Sequence, residues 1–446
     1  MYLAYSALLA LGLLLSLPYW VFQTLRHGKY RAGLRERLGR VPERLCRDKR
    51  PAIWIHAVSV GEVLAVGELV GELRRRFPGN RLVVSTTTDT GQRLARTRFG
   101  EENVCYFPLD FGFAIRPYLK TLQPELVLLA ETEFWPNFLR LSRQSGAGVA
   151  VVNARISDRS LPGYRRFHGL LARVLQNVNL FLAQTDEDRN RLMEIGAPSE
   201  RMRVTGNLKF DAPLPAPPPI VASLQAELQR SGAGPIIVCG STVRDEEPLL
   251  LHAFRNVLAS HPQAVMILAP RHPERFGEVA HLMETFGTHF WRRSLWSGEP
   301  VAGGVLLLDS IGELASVYSL ADVAFVGGSL VPLGGHNIIE PARHGIAIVV
   351  GNHTENFRDM IELFKKHDAV RVAGPAEFPL VLMELISNEA ERIALGRRAA
   401  ETMHAQAGAT RKTADALEEL LRTRGSGSEH RGSVSSDENA PAVSQP

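Results

Sequence analysis

Two carboxylates stand where an apolar run gives way to a polar loop, a position from which a side chain could work as an acid or a base. Glu62 closes residues 56–62 (HAVSVGE), and Glu131 opens residues 131–137 (ETEFWPN). A carboxylate that reaches an acceptor hydroxyl can serve as general base. However, Ser59-x-x-Glu62 also fits a capping box at a helix start, and Thr132 followed by an acid fits an N-cap. The residues alone leave both interpretations open.

A lysine follows in a third polar segment. Lys209 lies in residues 206–211 (GNLKFD), directly before the proline-rich residues 213–219 (PLPAPPP). A lysine at this hinge could face an anion across a cleft between two domains, or it could pair with Asp211. The proline-rich run itself predicts a stiff, extended linker.

The second half of the chain carries residues that suit a nucleotide. Ser241 and Thr242 follow an apolar run and precede a helical pattern, so they could receive a phosphate at a helix start. Arg271 follows the next apolar run and could bind phosphate with its guanidinium, although a solvated surface arginine is the common alternative. Residues 310–313 (SIGE) fit another capping box.

The glycine-rich residues 327–341 (GGSLVPLGGHNIIEP) are the most informative segment of this half. Two Gly-Gly pairs leave the backbone free to approach a ligand. Asn337 can cap the next helix, and the Glu340 carboxylate could accept hydrogen bonds from two ribose hydroxyls. The segment is neither a Walker A loop nor G-x-G-x-x-G, which argues against a kinase or a dinucleotide-binding function.

These polar segments need a framework, and the apolar pattern predicts one. Short runs rich in Val, Ile and Leu alternate with helical patterns, which indicates two α/β domains, each with a parallel sheet. Ligands bind such sheets at the carboxyl ends of the strands. The predicted strands are residues 52–56, 82–86, 126–130, 149–153 and 180–184 in the first domain, and 236–239, 265–269, 305–308, 323–326 and 346–350 in the second.

The N-terminus predicts a membrane anchor. From Tyr2 to Phe22 the chain is uncharged and rich in leucine, a run of the ~20 residues that can cross a bilayer core as a helix. Ten Lys or Arg residues against three acids follow between Arg26 and Arg50. By the positive-inside rule this excess places the rest of the chain in the cytoplasm, and it could also hold anionic headgroups. A signal peptide or a buried core helix explains these features less well.

The predicted domain boundaries follow from these features. Residues 1–25 form the anchor, 26–212 the first domain, 213–219 the linker, 220–423 the second domain and 424–446 a disordered tail. Three distant cysteines fit a reducing compartment rather than a disulfide framework or a zinc site. A net charge of only +4 gives no support to nucleic-acid binding.

The chain resembles the Kdo transferases of lipopolysaccharide synthesis (3-deoxy-D-manno-octulosonic acid transferases) in seven ordered motifs that extend to about residue 420. The motifs are the N-terminal anchor, residues 56–62, residues 131–137, Asn153-Ala154-Arg155, residues 208–211, residues 270–275 (PRHPER) and residues 327–337. This resemblance implies the GT-B fold, two Rossmann-like domains around a cleft. It also implies CMP-Kdo as donor and the tetra-acylated lipid A precursor as acceptor.

The resemblance also implies a role for each matching residue. Glu62 would be the proton acceptor, and Glu131 and Lys209 would stabilise the transition state. CMP would be held by Pro270, Arg271, Ile311, Gly312, Glu313, Asn337, Ile338, Ile339 and Glu340. Ile338-Ile339 stands where a Pro-Leu pair is common in the family, a change that backbone contacts tolerate.

The chemistry expected from these roles is an inverting transfer at the cytoplasmic face of the bacterial inner membrane, with release of CMP. Helix amides and Arg271 can absorb the charge of the departing phosphate, so neither a metal nor another cofactor is expected. Asp186-Glu187-Asp188 matches the D-x-D pattern of metal-dependent transferases, but a solvated first helical turn after Thr185 is the favoured interpretation.

Two rival function classes remain. One is a GT-B enzyme with another substrate, such as a UDP-sugar transferase or an epimerase acting on UDP-GlcNAc. The other is a membrane-tethered nucleotide sensor that binds CMP without turnover. The sequence does not indicate the number of Kdo units transferred, the acyl pattern required of the acceptor or the oligomeric state.

Overall fold

The computed structural model describes residues 1–27, 33–213 and 216–429. Their contacts divide the chain into two compact units. Unit 1 holds the described residues of Met1–Ala212 and those from Gly408 onwards, and unit 2 is formed by Pro213–Ala407. Each unit contains one seven-stranded, all-parallel sheet, so the predicted pair of parallel-sheet α/β domains is confirmed.

The sheet of unit 1 has the strand order β3-β2-β1-β4-β5-β6-β7. Its core strands are buried on both faces because their side chains are almost all apolar. The strands are β1 (Ala52–His56), β2 (Arg81–Thr86), β3 (Val104–Tyr106), β4 (Leu126–Ala130), β5 (Gly148–Ala154), β6 (Leu180–Ala183) and β7 (Met202–Val204).

The sheet of unit 2 has the order β10-β11-β9-β8-β12-β13-β14. Its strands are β8 (Ile236–Thr242), β9 (Val265–Pro270), β10 (Phe290–Arg292), β11 (Val305–Leu307), β12 (Val323–Val326), β13 (Ala347–Val350) and β14 (Arg371–Val372). All ten predicted strands are present. The four that the sequence missed, β3, β7, β10 and β14, are the two edges of each sheet, where strands of only two or three residues suffice.

Helices flank both sheets. Unit 1 contains α1 (Tyr2–His27), α2 (Leu34–Arg37), α3 (Glu43–Cys46), α4 (Val60–Ala65), α5 (Gly67–Arg76), α6 (Asp89–Phe99), α7 (Gly112–Leu122), α8 (Pro136–Gln144), α9 (Leu161–Arg166), α10 (His168–Leu175) and α11 (Asp186–Glu194). Unit 2 contains α12 (Pro219–Ser231), α13 (Glu247–Ser260), α14 (Phe276–Thr285), α15 (Leu314–Val317), α16 (Ile339–Arg343), α17 (Arg358–Lys366), α18 (Phe378–Ser387) and α19 (Glu389–Ala405).

The last helix, α20 (Ala409–Glu429), corrects the predicted domain boundaries. It belongs to unit 1, whereas the sequence placed residues up to 423 in the second domain. Ala409, Ala414 and Leu417 are buried in the apolar core of unit 1, and the Asp211 carboxylate accepts hydrogen bonds from the amides of Gly408 and Thr410. The predicted disorder is also wrong for residues 424–429, which continue the helix, while residues 430–446 lie outside the described part of the chain.

Helix α1 agrees with only part of the prediction for the N-terminus. The predicted helix is present, but no helix in the described ranges is long and apolar enough to cross a membrane. The predicted transmembrane anchor is therefore not supported. One face of α1 is half-buried against unit 1: Tyr2 accepts a hydrogen bond from the Asn177 amide, and Ser6 accepts one from Asn137.

The basic segment after α1 is only partly available to lipid. Arg37 lies over the Tyr106 ring, 4.6 Å from its centroid. Arg44 pairs with Glu36 at 3.0 Å and donates to two backbone carbonyls. Arg35, Arg40 and Lys49 remain exposed. Lys29 and Arg31 lie outside the described residues.

Candidate active site

Glu62 lies at the start of α4, where it makes the contacts of a cap. Ser59 is the N-cap residue and accepts from the Glu62 amide. The Glu62 carboxylate in turn accepts from the Val58 amide at 2.8 Å and from the Ser59 hydroxyl at 3.0 Å. The capping interpretation is thus confirmed. It does not exclude catalysis, because a carboxylate oxygen can accept more than one hydrogen bond.

The environment of Glu62 suits a group that exchanges protons near neutral pH. Its side chain is 9% exposed. Burial raises its pKa to about 7, and the nearby charges of Glu131 and Glu133 act in the same direction. Hydrogen bonds from Val58 and Ser59 oppose this rise. A general base works best when its pKa lies near the working pH.

Glu131 and Lys209 form an ion pair in the same unit, with 3.2 Å between Oε1 and Nζ. Glu131 directly follows β4 and has a φ of 56°, a left-handed conformation that is unusual for a residue with a side chain. Strained backbone of this kind clusters at functional sites. Lys209 pairs with Glu131 and not with Asp211, which resolves the alternative left open by the sequence.

Polar side chains of neighbouring strands and loops hold Lys209 in position. The Asn153 side chain at the end of β5 accepts from the Leu208 amide at 2.9 Å. Asn207 caps the short 3-10 helix Leu208–Asp211 by accepting from the Lys209 amide. Asp211 is occupied by the amides that precede α20. Segments that are distant in sequence therefore converge at the carboxyl ends of β4 and β5.

His56 is a structural residue in this arrangement. It is fully buried and stacks on Phe107, with 3.8 Å between ring centroids. Its Nδ1 lies 3.1 Å from the Ser85 carbonyl. Because desolvation lowers its pKa to about 3, the ring is neutral at physiological pH.

The segment after Glu131 differs from the predicted Thr132 cap. Helix α8 begins with Pro136, and Trp135 occupies its N-cap position without a side-chain hydrogen bond. Asp110 supplies the cap instead, because its buried carboxylate accepts from the amides of Asn137 and Phe138. No local pattern predicts this role, because Asp110 lies 27 residues before Asn137. Glu133 accepts from the Trp135 indole, and burial raises its pKa.

In unit 2, two of the predicted CMP ligands, Arg271 and Glu340, lie close enough to interact electrostatically. Burial raises the pKa of Glu340, and the charge of Arg271 opposes this rise. The same charge also lowers the pKa of His336. Burial is the main reason that the His336 pKa falls to about 4, so this ring is neutral. Asn337 accepts from the Ile339 amide at 3.1 Å at the start of α16. Ile338, not Asn337, occupies the N-cap position of α16, so Asn337 supports the helix start from one residue further upstream than predicted.

Glu246 is a residue that the sequence reasoning missed. Its buried carboxylate accepts four backbone hydrogen bonds, from Val243 after β8 and from Gly328, Ser329 and Leu330 after β12. It therefore fixes the glycine-rich loop to the end of β8. Gly327 leaves room for this contact, since a Cβ there would lie 2.7 Å from Glu246 Oε2.

The other predicted donor-site residues are placed as follows. Thr242 is fully buried and donates to Glu247, so its hydroxyl is already engaged, whereas Ser241 is half-buried with a φ of 56°. Ile311 and Gly312 are exposed. Glu313 is the N-cap residue of α15 and pairs with Arg293 at 2.9 Å. The predicted capping box at residues 310–313 is wrong, because the helix begins only after Glu313.

Asp188 also differs from its prediction. It is buried, and it accepts from the Ile156 amide and the Thr185 hydroxyl, so the first turn of α11 is not simply solvated. Within residues 1–27, 33–213 and 216–429, no three His, Cys, Asp or Glu side chains are grouped so as to hold a metal ion.

Known proteins similar to this chain identify its family. The model of the 3-deoxy-D-manno-octulosonic-acid transferase (kdotransferase) family matches residues 32–212. The 3-deoxy-D-manno-octulosonic acid transferase of Haemophilus influenzae is 32% identical over 422 residues, which cover 94% of this chain and 98% of that protein. The Bordetella pertussis protein of the same name is 36% identical over 423 residues, which cover 90% of this chain and 95% of that protein. This chain belongs to the Kdo transferase family.

Membership of the Kdo transferase family makes the chain a glycosyltransferase. Among solved structures, UDP-GlcNAc 2-epimerase from Neisseria meningitidis, bound to UDP-GlcNAc, is similar with a TM-score of 0.57. It is 13% identical, and the match covers 82% of this chain and all of that one. That likeness concerns the fold alone. Both proteins have a GT-B-like architecture of two parallel-sheet domains.

Proposed function

We propose that this Kdo transferase moves Kdo from CMP-Kdo to the tetra-acylated lipid A precursor at the cytoplasmic face of the inner membrane, with inversion at the anomeric carbon. The observation that carries the proposal is Glu62, a buried carboxylate with a pKa near 7 beside the Glu131–Lys209 pair. The names and coverage of the two bacterial relatives support the donor sugar.

The proposed step is a single displacement. The acceptor hydroxyl oxygen attacks the anomeric carbon of Kdo, while Glu62 takes the hydroxyl proton. The bond between that carbon and the phosphate oxygen breaks, and its electron pair leaves with CMP. Attack from the side opposite CMP inverts the configuration. Without a positioned base the sugar hydroxyl is a poor nucleophile.

Charges near the reacting groups support this step. Positive charge develops on the sugar as the bond to CMP breaks, and the Glu131 carboxylate can offset it. Lys209 holds that carboxylate in place through the 3.2 Å ion pair. In unit 2, Arg271 and the backbone near Ile311 and Gly312 receive the CMP phosphate, and Glu340 accepts from the ribose. No cofactor enters the proposed step.

Helix α1 supports a membrane-surface location. Its half-buried residues (Tyr2, Tyr5, Ser6, Leu9, Leu13 and Ser16) recur at helical spacing on one face. The opposite face carries exposed leucines: Leu3, Leu8, Leu11, Leu14, Leu15 and Leu17. An apolar helix face beside exposed basic residues is suited to the interface of an anionic membrane. Vesicle flotation checks this: the double variant Leu11→Ser and Leu15→Ser should lose binding to phosphatidylglycerol vesicles, and unchanged binding would contradict it.

Mass spectrometry of the products tests the proposed reaction. Purified protein, CMP-Kdo and the lipid acceptor should yield acceptor whose mass has increased by one or more Kdo units, together with free CMP. Unlabelled CMP-Kdo should suppress transfer from radiolabelled CMP-Kdo, whereas UDP-GlcNAc should not. Turnover of UDP-GlcNAc would instead favour the epimerase-like alternative, and CMP binding without product would favour the sensor.

A further inference from the structure

A groove of about 450 Å³ lies in unit 2, apart from the residues assigned to CMP. One wall is α12, the first helix after the proline-rich segment, and the other is the stretch that follows β10. Glu227 and Arg230 line the first wall, and Arg293 and Trp296 line the second. No part of the proposed reaction uses the groove.

Glu227 is the most unusual residue of this groove. Its side chain is 3% exposed. Neither carboxylate oxygen has a hydrogen-bond partner among the described residues. Buried carboxylates are normally paired, because an unpartnered one loses its hydration without compensation. A group that donates hydrogen bonds would remove this cost.

The opposite wall offers the complementary group. Arg293 Nε is buried and has no acceptor within the described part of the chain, although another nitrogen of the same guanidinium donates to Glu313 at 2.9 Å. Arg293 and Glu227 form no ion pair with each other, because their charged atoms lie beyond 4.0 Å within the described structure. One groove thus contains an unused acceptor and an unused donor.

Trp296 provides the third feature. Its indole nitrogen, the only polar atom of its side chain, already donates to the Glu299 carbonyl at 2.8 Å. The ring therefore contributes apolar surface to the groove. Ile220 of α12 adds to this surface.

We propose that this groove binds a neutral, hydroxyl-rich ring, that is, a sugar unit, at a site distinct from the donor site. The Glu227 oxygens and Arg293 Nε are closed to solvent in the free protein, so binding requires these two side chains to turn toward the groove. Because a hydroxyl both donates and accepts, neighbouring hydroxyls can then donate to Glu227 and accept from Arg293 Nε. The apolar face of the ring packs on Trp296. A cationic ligand is disfavoured by Arg230 and Arg293, and an anionic ligand by Glu227. The inference does not depend on the proposed reaction.

Hydrogen–deuterium exchange of the full chain tests this site. Glucose or N-acetylglucosamine should slow exchange in peptides covering residues 219–230 and 293–298, with affinity on the order of 1 mM. Inorganic phosphate and choline, an anion and a cation, should leave those peptides unchanged. The inference is overturned if neither sugar protects them, or if phosphate or choline protects them instead.

Variants separate binding from folding. Glu227→Gln should weaken sugar binding about tenfold, because a carboxylate acceptor becomes an amide, and Trp296→Leu should weaken it through loss of the ring face. Glu389→Gln makes the same change as Glu227→Gln at an exposed position of unit 2 and should bind sugar like the parent. Thermal unfolding identifies any variant that fails to fold. Equal affinity in a folded Glu227→Gln or Trp296→Leu protein would contradict the inference.

Discussion

At the scale of single residues, the contacts that Glu62 makes as a cap are compatible with its proposed role as general base. The contacts with Val58 and Ser59 fix the carboxylate at the helix start. Burial beside Glu131 and Glu133 keeps its pKa near 7. Glu62 thus makes the contacts of a cap and has the pKa that the proposed general base requires.

The pH dependence of transfer follows from this pKa. Only the deprotonated carboxylate accepts a proton, so kcat/KM should rise with pH and level off above an apparent pKa of about 7. A pH–rate profile with the lipid acceptor well below its KM measures this. A profile that is flat between pH 5.5 and 8.5, with the protein folded throughout, would argue against Glu62 as the base.

The ion pair makes a second prediction at this scale. Lys209→Met should lower kcat by roughly 10- to 1,000-fold, because the Glu131 carboxylate loses the partner that positions it. Lys120→Met, at an exposed position on α7, is the matched control and should be near normal. If both variants have parental kcat, the Glu131–Lys209 pair has no part in transfer.

At the scale of elements, Glu246 connects two loops of unit 2. Glu246→Gln replaces one of the two carboxylate oxygens with an NH2 group, which cannot accept from the backbone N–H groups of the glycine-rich loop. We expect CMP binding to weaken at least tenfold, and stability to fall by about 1–3 kcal/mol. Titration calorimetry and denaturant unfolding measure these changes.

The neighbouring residue provides the control for Glu246. Asp245 is exposed and has a φ of 73°, a conformation that asparagine also tolerates. Asp245→Asn removes the same charge and should leave CMP affinity and stability unchanged. CMP affinity in Glu246→Gln equal to that of Asp245→Asn would show that the loop does not need this carboxylate.

The elements themselves were unequally predictable from the sequence. Central strands such as β1 and β4 carry continuous apolar runs because both faces are buried, and their predicted bounds are correct. Edge strands such as β7 carry no such run, since their residues are partly exposed. The carboxylates of Asp110 and Glu246 accept hydrogen bonds from segments that are distant in sequence, so no local sequence pattern predicts these contacts.

At the scale of the whole molecule, the chain returns to unit 1 after completing unit 2. Helix α20 is amphipathic, and nothing in its sequence pattern predicts which of the two cores it covers. Its membership of unit 1 depends on contacts with residues more than 190 positions upstream, such as the amide of Gly408 with Asp211. Only the three-dimensional structure could assign it.

Truncation tests the role of α20. Ending the chain after Ala407 exposes the core of unit 1 that Ala414 and Leu417 cover, so unit 1 should lose its cooperative unfolding and become sensitive to protease. Ending it after Glu429 should leave unfolding unchanged, because α20 is retained. Differential scanning calorimetry compares the two proteins. Equal unfolding of both would show that unit 1 is stable without this helix.

The measurement that tests the central claim most directly is Kdo transfer by Glu62→Gln, with CMP affinity measured on the same preparation. The amide oxygen can still accept from the Val58 amide, and the NH2 group can donate to the Ser59 hydroxyl, but the side chain can no longer take a proton. We expect transfer to fall by about 100- to 10,000-fold while CMP affinity stays within twofold of the parent. Folding favours the protonated carboxylate, a contribution to stability that is lost as the pH rises through about 7. The neutral variant should therefore unfold no earlier than the parent at pH 8. Parental transfer rates in this variant, or loss of its folding or CMP binding, would contradict the catalytic role and show that Glu62 is a structural residue.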